Sequence, residues 1–371
     1  MQRNKSVCIM TSVHRYDDVR IYHKEAKALK LAGYEVTVLC SNHSGEEKEW
    51  HDENGIHFVK IEVPSTRAKR VMFASKICCK KALELNCDFY HFHDPELMQA
   101  GLKLRKKAKV IYDIHEDVPR QILTKPYLKP WVAKISSRFV EWYEEYAAKR
   151  FYAIVAAEPV IYDRLKHINK NTVMVCNYPK LDEFELIDDD FDQRQNAVCY
   201  IGGITKIRGI FEMMEAVENT NYKLILAGEY ETAELKSQVE QQKGFENVDY
   251  RGFLDRAGIK DALSSVKAGL VTLHPIPKYL TALPVKMFEY MIAKVPVISS
   301  DFPYWKQIVD DAECGICVDA LNPDEIKNAI QYIIENPDIA KKMGENGRKK
   351  VLEKYNWDIE KAKLLALYSM N

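Results

Sequence analysis

The chain has 371 residues, 47% hydrophobic and 29% charged, with 54 Lys plus Arg against 54 Asp plus Glu. That length exceeds what one hydrophobic core usually serves, so two domains are expected, and the balanced charge removes a global electrostatic case for a nucleic-acid protein. Nine cysteines, an odd count scattered through apolar runs, fit a reducing compartment better than a disulfide framework.

The start, Met1-Gln2-Arg3-Asn4-Lys5, is basic, yet Val7 to Met10 is too short for a secretory segment, and no run approaches the roughly 18 apolar residues of a spanning helix. A cytoplasmic protein is expected. Short β-rich runs then alternate with longer helical patterns, the signature of βαβ units and parallel sheets. Strands are predicted at residues 7–11, 35–40, 89–93, 110–114, 153–157 and 173–176. Between the first two, Asp17 or Asp18 can cap a helix with Ile21, Ala28, Leu29 and Leu31 as its apolar positions, and Gly33 can end it.

His14, Asp17 and Arg20 follow the first predicted strand, and His93 and Asp94 close the third, so these five are candidates to line a ligand cleft at the strand ends. His91 and His93 share a strand face, but no third or fourth ligand is evident, and no metal is expected. The basic run Lys103, Arg105, Lys106, Lys107, Lys109 and the segment Lys125-Pro126-Tyr127-Leu128-Lys129-Pro130-Trp131-Val132-Ala133-Lys134 suit an anionic membrane surface as well as a solvated helix face.

A break at Asn177-Tyr178-Pro179 continues through an acidic stretch to Asn196, including Asp188-Asp189-Asp190, and reads as a linker. The domains are therefore set at residues 1–190 and 191–350, with residues 351–371 a terminal helix expected to pack back on the first. Strands are predicted again at 197–201, 223–227, 248–251, 269–273, 295–298 and 315–318. The fold class is thus α/β, two Rossmann-like doubly wound parallel-sheet domains facing a cleft. Cys314-Gly315-Ile316-Cys317 matches a C-x-x-C without a partner pair, so no zinc or redox role is assigned.

Two segments of the second half carry phosphate chemistry. After its first strand comes Gly202-Gly203-Ile204-Thr205-Lys206-Ile207-Arg208-Gly209 and then a helix, an arrangement in which glycines let backbone approach a ligand and cations add to the field. Further on, Pro284-Val285-Lys286-Met287-Phe288-Glu289 reads as a helix opened by Pro284, with Lys286 in the positive first turn and Glu289 three residues on, on the same face. Lysine on a diphosphate and glutamate on ribose hydroxyls would grip a nucleotide twice.

These segments, with Leu226-Ala227-Gly228-Glu229, Arg251-Gly252-Phe253-Leu254, Pro296-Val297-Ile298, and in the first half Arg20 to Ala26, His93-Asp94-Pro95-Glu96-Leu97 and Tyr112 to Asp117, resemble glycosyltransferase family 4. The resemblance spans nearly the whole chain. It implies the GT-B fold, His115, Arg208 and Lys286 as catalytic residues, and donor contacts at Gly202, Gly203, Lys206, Gly228, Pro284 and Glu289. It further implies metal-independent transfer with retention from a UDP- or GDP-sugar to a saccharide, expected to be a lipid-linked intermediate of surface polysaccharide assembly on the inner face of the membrane. The nucleotide-sugar is then a substrate, and no cofactor is needed. The chain departs from the family pattern at Gly203, where arginine is usual, at Arg208, where lysine is usual and whose guanidinium can do the same work on the leaving diphosphate, at Thr281, where a carboxylate is usual, and at Lys294, where glycine commonly ends the helix. A nucleotide-sugar epimerase of the same build, or a non-catalytic nucleotide-sugar-binding module, are the rival readings.

Overall fold

The computed structural model describes residues 4–41, 47–125, 127–184 and 191–370, so Asp188-Asp189-Asp190 lies outside the described residues. In the first half the strands are β1 Ser6–Met10, β2 Glu35–Cys40, β3 Glu49–His51, β4 His57–Lys60, β5 Phe89–Phe92, β6 Lys109–Ile114, β7 Ala153–Ala156 and β8 Thr172–Met174. They form one sheet in the order β3-β4-β2-β1-β5-β6-β7-β8, parallel throughout except where β3 meets β4. Central strands such as β1, β5 and β7 are buried at every position, as parallel strands covered by helices on both faces must be. Val7 pairs with Val36 on one side and Phe89 on the other, so strand order reverses at β1 and β5. Loops leaving a parallel sheet at such a reversal diverge and leave room for a ligand.

The second half repeats the plan with β9 Ala197–Ile201, β10 Lys223–Ala227, β11 Val248–Gly252, β12 Ala268–Val271, β13 Val297–Ser300 and β14 Gly315–Val318, ordered β11-β10-β9-β12-β13-β14. Every neighbour is parallel. Its reversal lies between β9 and β12. Val198, Tyr200, Leu224, Leu270 and Ile298 join helix residues such as Met213 and Ile330 in this core, while Tyr90, Phe92, Tyr112 and Ile154 anchor the first.

Contacts divide the chain into Met1–Asn177 with Ile359–Asn371, and Tyr178–Asp358. The expected boundary at 190/191 is therefore too late. Tyr178 already packs on Phe288 and Tyr355, with centroids 4.7 and 5.3 Å away, so the chain enters the second unit as soon as it leaves Asn177. The helix Trp357–Ser369 carries the chain back into the first unit from Ile359 on, where the Tyr368 hydroxyl meets His91 Nδ1 at 2.7 Å. Residues 351–358, expected with that terminal helix, stay with the second unit.

The strands β3 and β4 were not legible as strands. A three-residue antiparallel edge offers too little alternation, and it is held mainly by Trp50 stacked on Phe58 at 5.0 Å. The helix after β1 also differs from the expected one. Asp18 caps it by accepting from the Arg20 and Ile21 amides, Gly33 ends it with φ +89°, but Val19–Ala26 winds as a π-helix before Lys27–Leu31. The wider turn shifts the phase of the buried face, so Arg20, Lys24 and Glu25 point inward while Leu31 is 86% exposed. Among the described residues no helix is long and apolar enough to cross a membrane.

Candidate functional site

In the second unit the turn after β9 is shaped by backbone. Gly202 has φ +137° and Gly228 φ +142°, and a Cβ on Gly228 would fall 2.0 Å from the Gly202 carbonyl oxygen, so two loops touch at a place where only glycine fits. The Gly203 carbonyl accepts from Tyr200 OH at 3.0 Å and from Arg208 Nη1 at 3.2 Å, and Arg208 Nε donates to Tyr279 OH. Lys286 arrives from the helix Val285–Ile292, whose N-cap is Pro284. Its ammonium lies 3.6 Å from the centre of the Tyr200 ring and has no hydrogen-bond partner although it is buried.

Lys286 Nζ and Arg208 Nη1 would lie 2.9 and 3.6 Å from a Cβ on Gly202, so two cations converge over the Gly202-Gly203 turn. Burial first, and then Arg208, pushes the Lys286 ammonium well below the usual lysine range. A dianionic ligand at this point would oppose both by favouring the charged ammonium. Lys206, on the same turn, is exposed.

Glu289 lies one turn along, but its Oε1 is taken by Arg256 Nη1 at 2.6 Å, and Arg256 Nε reaches Glu183 Oε2 at 3.5 Å. Arg256 escaped the sequence reading because it follows β11 and has no fixed spacing to the helix. Thr281 ends the short helix Pro277–Thr281. Lys294 does adopt the left-handed conformation, φ +56°, and Arg194 holds it there by donating to the carbonyls of Lys294, Ala293 and Val266. Cys314 is buried, which pushes its thiol up to about 12 and makes it inert.

In the first unit the strand ends of β1, β5 and β6 bring together His14, His93, Asp94 and His115. Asp94 Oδ2 accepts from Thr11 Oγ1, the Ser12 amide and Ser12 Oγ at 2.9, 2.6 and 3.2 Å. His14 Nε2 lies 3.5 Å from Asp94 Oδ1, and its Nδ1 lies 3.4 Å from Asp18. Burial works against the His14 cation, but Asp18 and Asp94 outweigh it and raise its pKa. His115 Nε2 meets His93 Nδ1 at 3.0 Å, and burial pulls its pKa down to about 4, the Arg20 charge adding to this against Asp113. His115 is thus a neutral hydrogen-bonding ring at neutral pH. Asp17 stands apart, bound to Arg15 at 2.8 Å, and the capping role belongs to Asp18.

Arg20 is not at a surface. It is 4% exposed and doubly bonded to Asp113, with Nη1 on the Val175 carbonyl at 2.9 Å. Glu25, His91, His93 and Asp113 each offer one atom within 4.8 Å of the others, so the carboxylates missing from the sequence view of His91 and His93 come from distant segments. These are ligand types that a first-row metal accepts. Arg20, however, already stands 2.8 Å from Asp113 Oδ2 and 2.9 Å from Glu25 Oε1, so the chain supplies the cation that this pair of carboxylates calls for. Burial and the Asp113 charge also push Glu25 well above the usual carboxylate range, which favours its protonated form.

Comparison with known proteins follows this division. Residues 19–177 match Glycosyltransferase Family 4, and residues 183–350 match Glycosyl transferases group 1. An uncharacterized glycosyltransferase of Methanocaldococcus jannaschii is 21% identical over 58% of this chain, which spans 59% of that relative's length. A phosphatidyl-myo-inositol mannosyltransferase of Mycobacterium leprae is 20% identical over 76% of this chain and 73% of its own. Among solved structures, Anabaena HepE in complex with UDP-glucose superposes with a TM-score of 0.70 at 12% identity, covering 98% of this chain and 99% of that one. A likeness at this identity speaks for the fold alone.

Proposed function

As the chain belongs to the GT-B glycosyltransferases of the family 4 type, we propose that it moves a sugar from a UDP- or GDP-sugar to a saccharide acceptor with retained anomeric configuration. The observation that carries this reading is the buried, unpartnered ammonium of Lys286 converging with Arg208 on Gly202-Gly203. An uncompensated buried cation beside another cation is costly unless an anion completes it. As the glycosidic bond lengthens, negative charge grows on the departing diphosphate. Preorganised Arg208 and Lys286 stabilise that charge without a metal, while His14, Asp94 and His115 serve the acceptor side through hydrogen bonds. The UDP-glucose complex of HepE supports a uridine donor as the first to try.

The acceptor in this reading is lipid-linked, and the protein works at a membrane surface. On the helix Pro130–Ala148, Trp131, Ile135, Phe139, Trp142 and Tyr146 repeat at helical spacing along one outward face, between 41% exposed at Tyr146 and 63% at Trp131. Lys134 and Arg138 are exposed among them. An apolar helical stripe with interleaved cations fits an anionic interface. The relative named for phosphatidyl-myo-inositol gives the same direction. Of the basic run further back, Lys109 is spent on the Met370 carbonyl and the Tyr152 hydroxyl. The test is a thermal-shift screen of UDP and GDP, followed by nucleotide release from matched donors with lipid-linked saccharides in the presence of EDTA. A rise in melting temperature with one nucleotide and acceptor-dependent release are expected. No shift with either nucleotide, or conversion of donor to an isomer without acceptor, would overturn the reading.

A further inference from the structure

Between the helices Arg67–Leu85 and Pro130–Ala148 lies a cavity of about 400 Å³, walled by Val71, Met98, Ile122, Val140 and Tyr143. Its size is within the range of small-molecule sites, and its wall is mainly apolar. Three features separate it from a packing defect. Phe139 lines it and is also 62% exposed in the aromatic stripe, so the cavity continues the apolar face. Ser75 lines it as well, only 4% exposed, and its hydroxyl has no hydrogen-bond partner. A buried hydroxyl of this kind costs about 1–3 kcal/mol until a polar atom meets it, so it marks where a water or the polar end of a ligand sits beside the apolar wall. Finally, Arg70 and Glu96 form the polar part of the wall.

That polar part leads to the acceptor-side residues. Arg70 Nε donates to Glu96 Oε1 at 3.0 Å, Ser12 Oγ stands 3.2 Å from the same oxygen, and Ser12 Oγ is also 3.2 Å from Asp94 Oδ2. One hydrogen-bonded path therefore joins the cavity wall to Asp94 and His14, all within the first unit. We infer that the cavity takes the hydrocarbon chain of an amphiphilic acceptor, whose polar end then lies along Arg70, Glu96 and Ser12 toward Asp94. This rests on the reading of a lipid-carried acceptor. It assigns the chain-binding role to residues outside the transfer chemistry, and it makes the aromatic stripe the place where that chain leaves the bilayer.

The experiment measures binding of butyl, octyl and dodecyl phosphate, each below its micelle concentration, by calorimetry on the full chain, with UDP binding measured separately. One saturable site is expected, at least tenfold tighter for octyl than for butyl phosphate, since each buried methylene favours transfer from water. Filling the cavity by Ser75→Leu, or by Val71→Trp at a partly exposed position that folding tolerates, should weaken dodecyl phosphate at least tenfold. Affinity independent of chain length, or unchanged in a folded Val71→Trp protein, would overturn the inference. UDP binding without alkyl phosphate binding would remove the cavity assignment and leave the donor reading intact; loss of UDP binding alone would do the reverse.

Discussion

Replacing Lys286 by methionine should move stability and nucleotide affinity in opposite directions. The ammonium and Arg208 Nη1 would flank a Gly202 Cβ at 2.9 and 3.6 Å, which puts the two charges at most about 6.5 Å apart. At an effective dielectric of about 20 the repulsion at that largest separation is roughly 2.5 kcal/mol; because burial and Arg208 hold the Lys286 ammonium well below the usual lysine range, shedding its proton limits what removal of the charge can return. Methionine keeps an unbranched apolar stem, one atom shorter, while removing the charge and the ammonium that sits over Tyr200. The nucleotide-free variant should therefore gain about 1–2 kcal/mol, seen as a melting temperature about 2–4 °C higher per kcal/mol. In the same variant a charge-assisted bond to diphosphate is lost, worth about 1.5–3 kcal/mol, so the Kd for UDP should rise about 10- to 150-fold. Differential scanning calorimetry without ligand and isothermal titration with UDP read the two effects independently. A Lys286→Met protein that melts lower than the parent, or binds UDP within about threefold of it, would refute the account of Lys286 as a cation waiting for an anion.

Arg208→Ala should lower turnover by about 10²-fold or more with the fold retained, the scale of removing a transition-state charge partner; near-normal turnover in a steady-state assay would contradict it. Glu289→Ala should raise the donor Kd about tenfold by removing a charged hydrogen-bond acceptor, and an unaltered Kd would dissociate Glu289 from the ribose. Because the folded-state pKa of His115 lies near 4, below the usual 6.5, the unfolded chain binds more protons between these values, and stability must fall on acidification from about pH 6.5 to 4. The full shift corresponds to about 3 kcal/mol, and His115→Gln should make urea-unfolding stability less steep over that window. His14, raised instead, contributes stability that is present below about pH 6.5 and lost as pH climbs through its folded value. Lys294→Gly should stabilise by about 1 kcal/mol, the left-handed strain less the extra freedom of unfolded glycine, and an unchanged or lower melting temperature would show that Arg194 already relieves the strain.

The alternation of short β runs with helical patterns marked out six of the eight strands of the first sheet and all six of the second, because parallel strands covered by helices are largely apolar, and the strands of the second sheet fell within two residues of their expected places. What the pattern could not carry was anything set by tertiary contact. The π-turn at Val19–Ala26 hides Arg20 because a period of 3.6 puts it on the wrong face. The bond between Arg256 and Glu289 joins an element after β11 to one after β12, and no local spacing encodes it. Sequence placed Asp17 and Asp18 equally well for the cap, and only the pairing of Asp17 with Arg15 separates them. Lys286 and Arg208 were legible as cations near glycines; that one of them has no partner is a property of packing.

The two strand-reversal points differ in a way that bears on which ligand each can hold. In the first unit the strong charges answer one another: Asp113 has Arg20, Asp94 has Thr11, Ser12 and His14, and Glu25 leans toward its neutral form. Such a region offers hydrogen bonds and shape but little net field, which suits the neutral hydroxyls of a saccharide. At the second reversal point, between β9 and β12, two cations converge with Lys286 unanswered, and the glycine turn clears backbone out of the way. That region is selective for concentrated negative charge. A polyhydroxylated acceptor bound there would leave Lys286 Nζ still unpaired, whereas a diphosphate would pair both cations at once. Where charge is satisfied thus supports the proposed placing of the donor in the second unit and of the acceptor in the first.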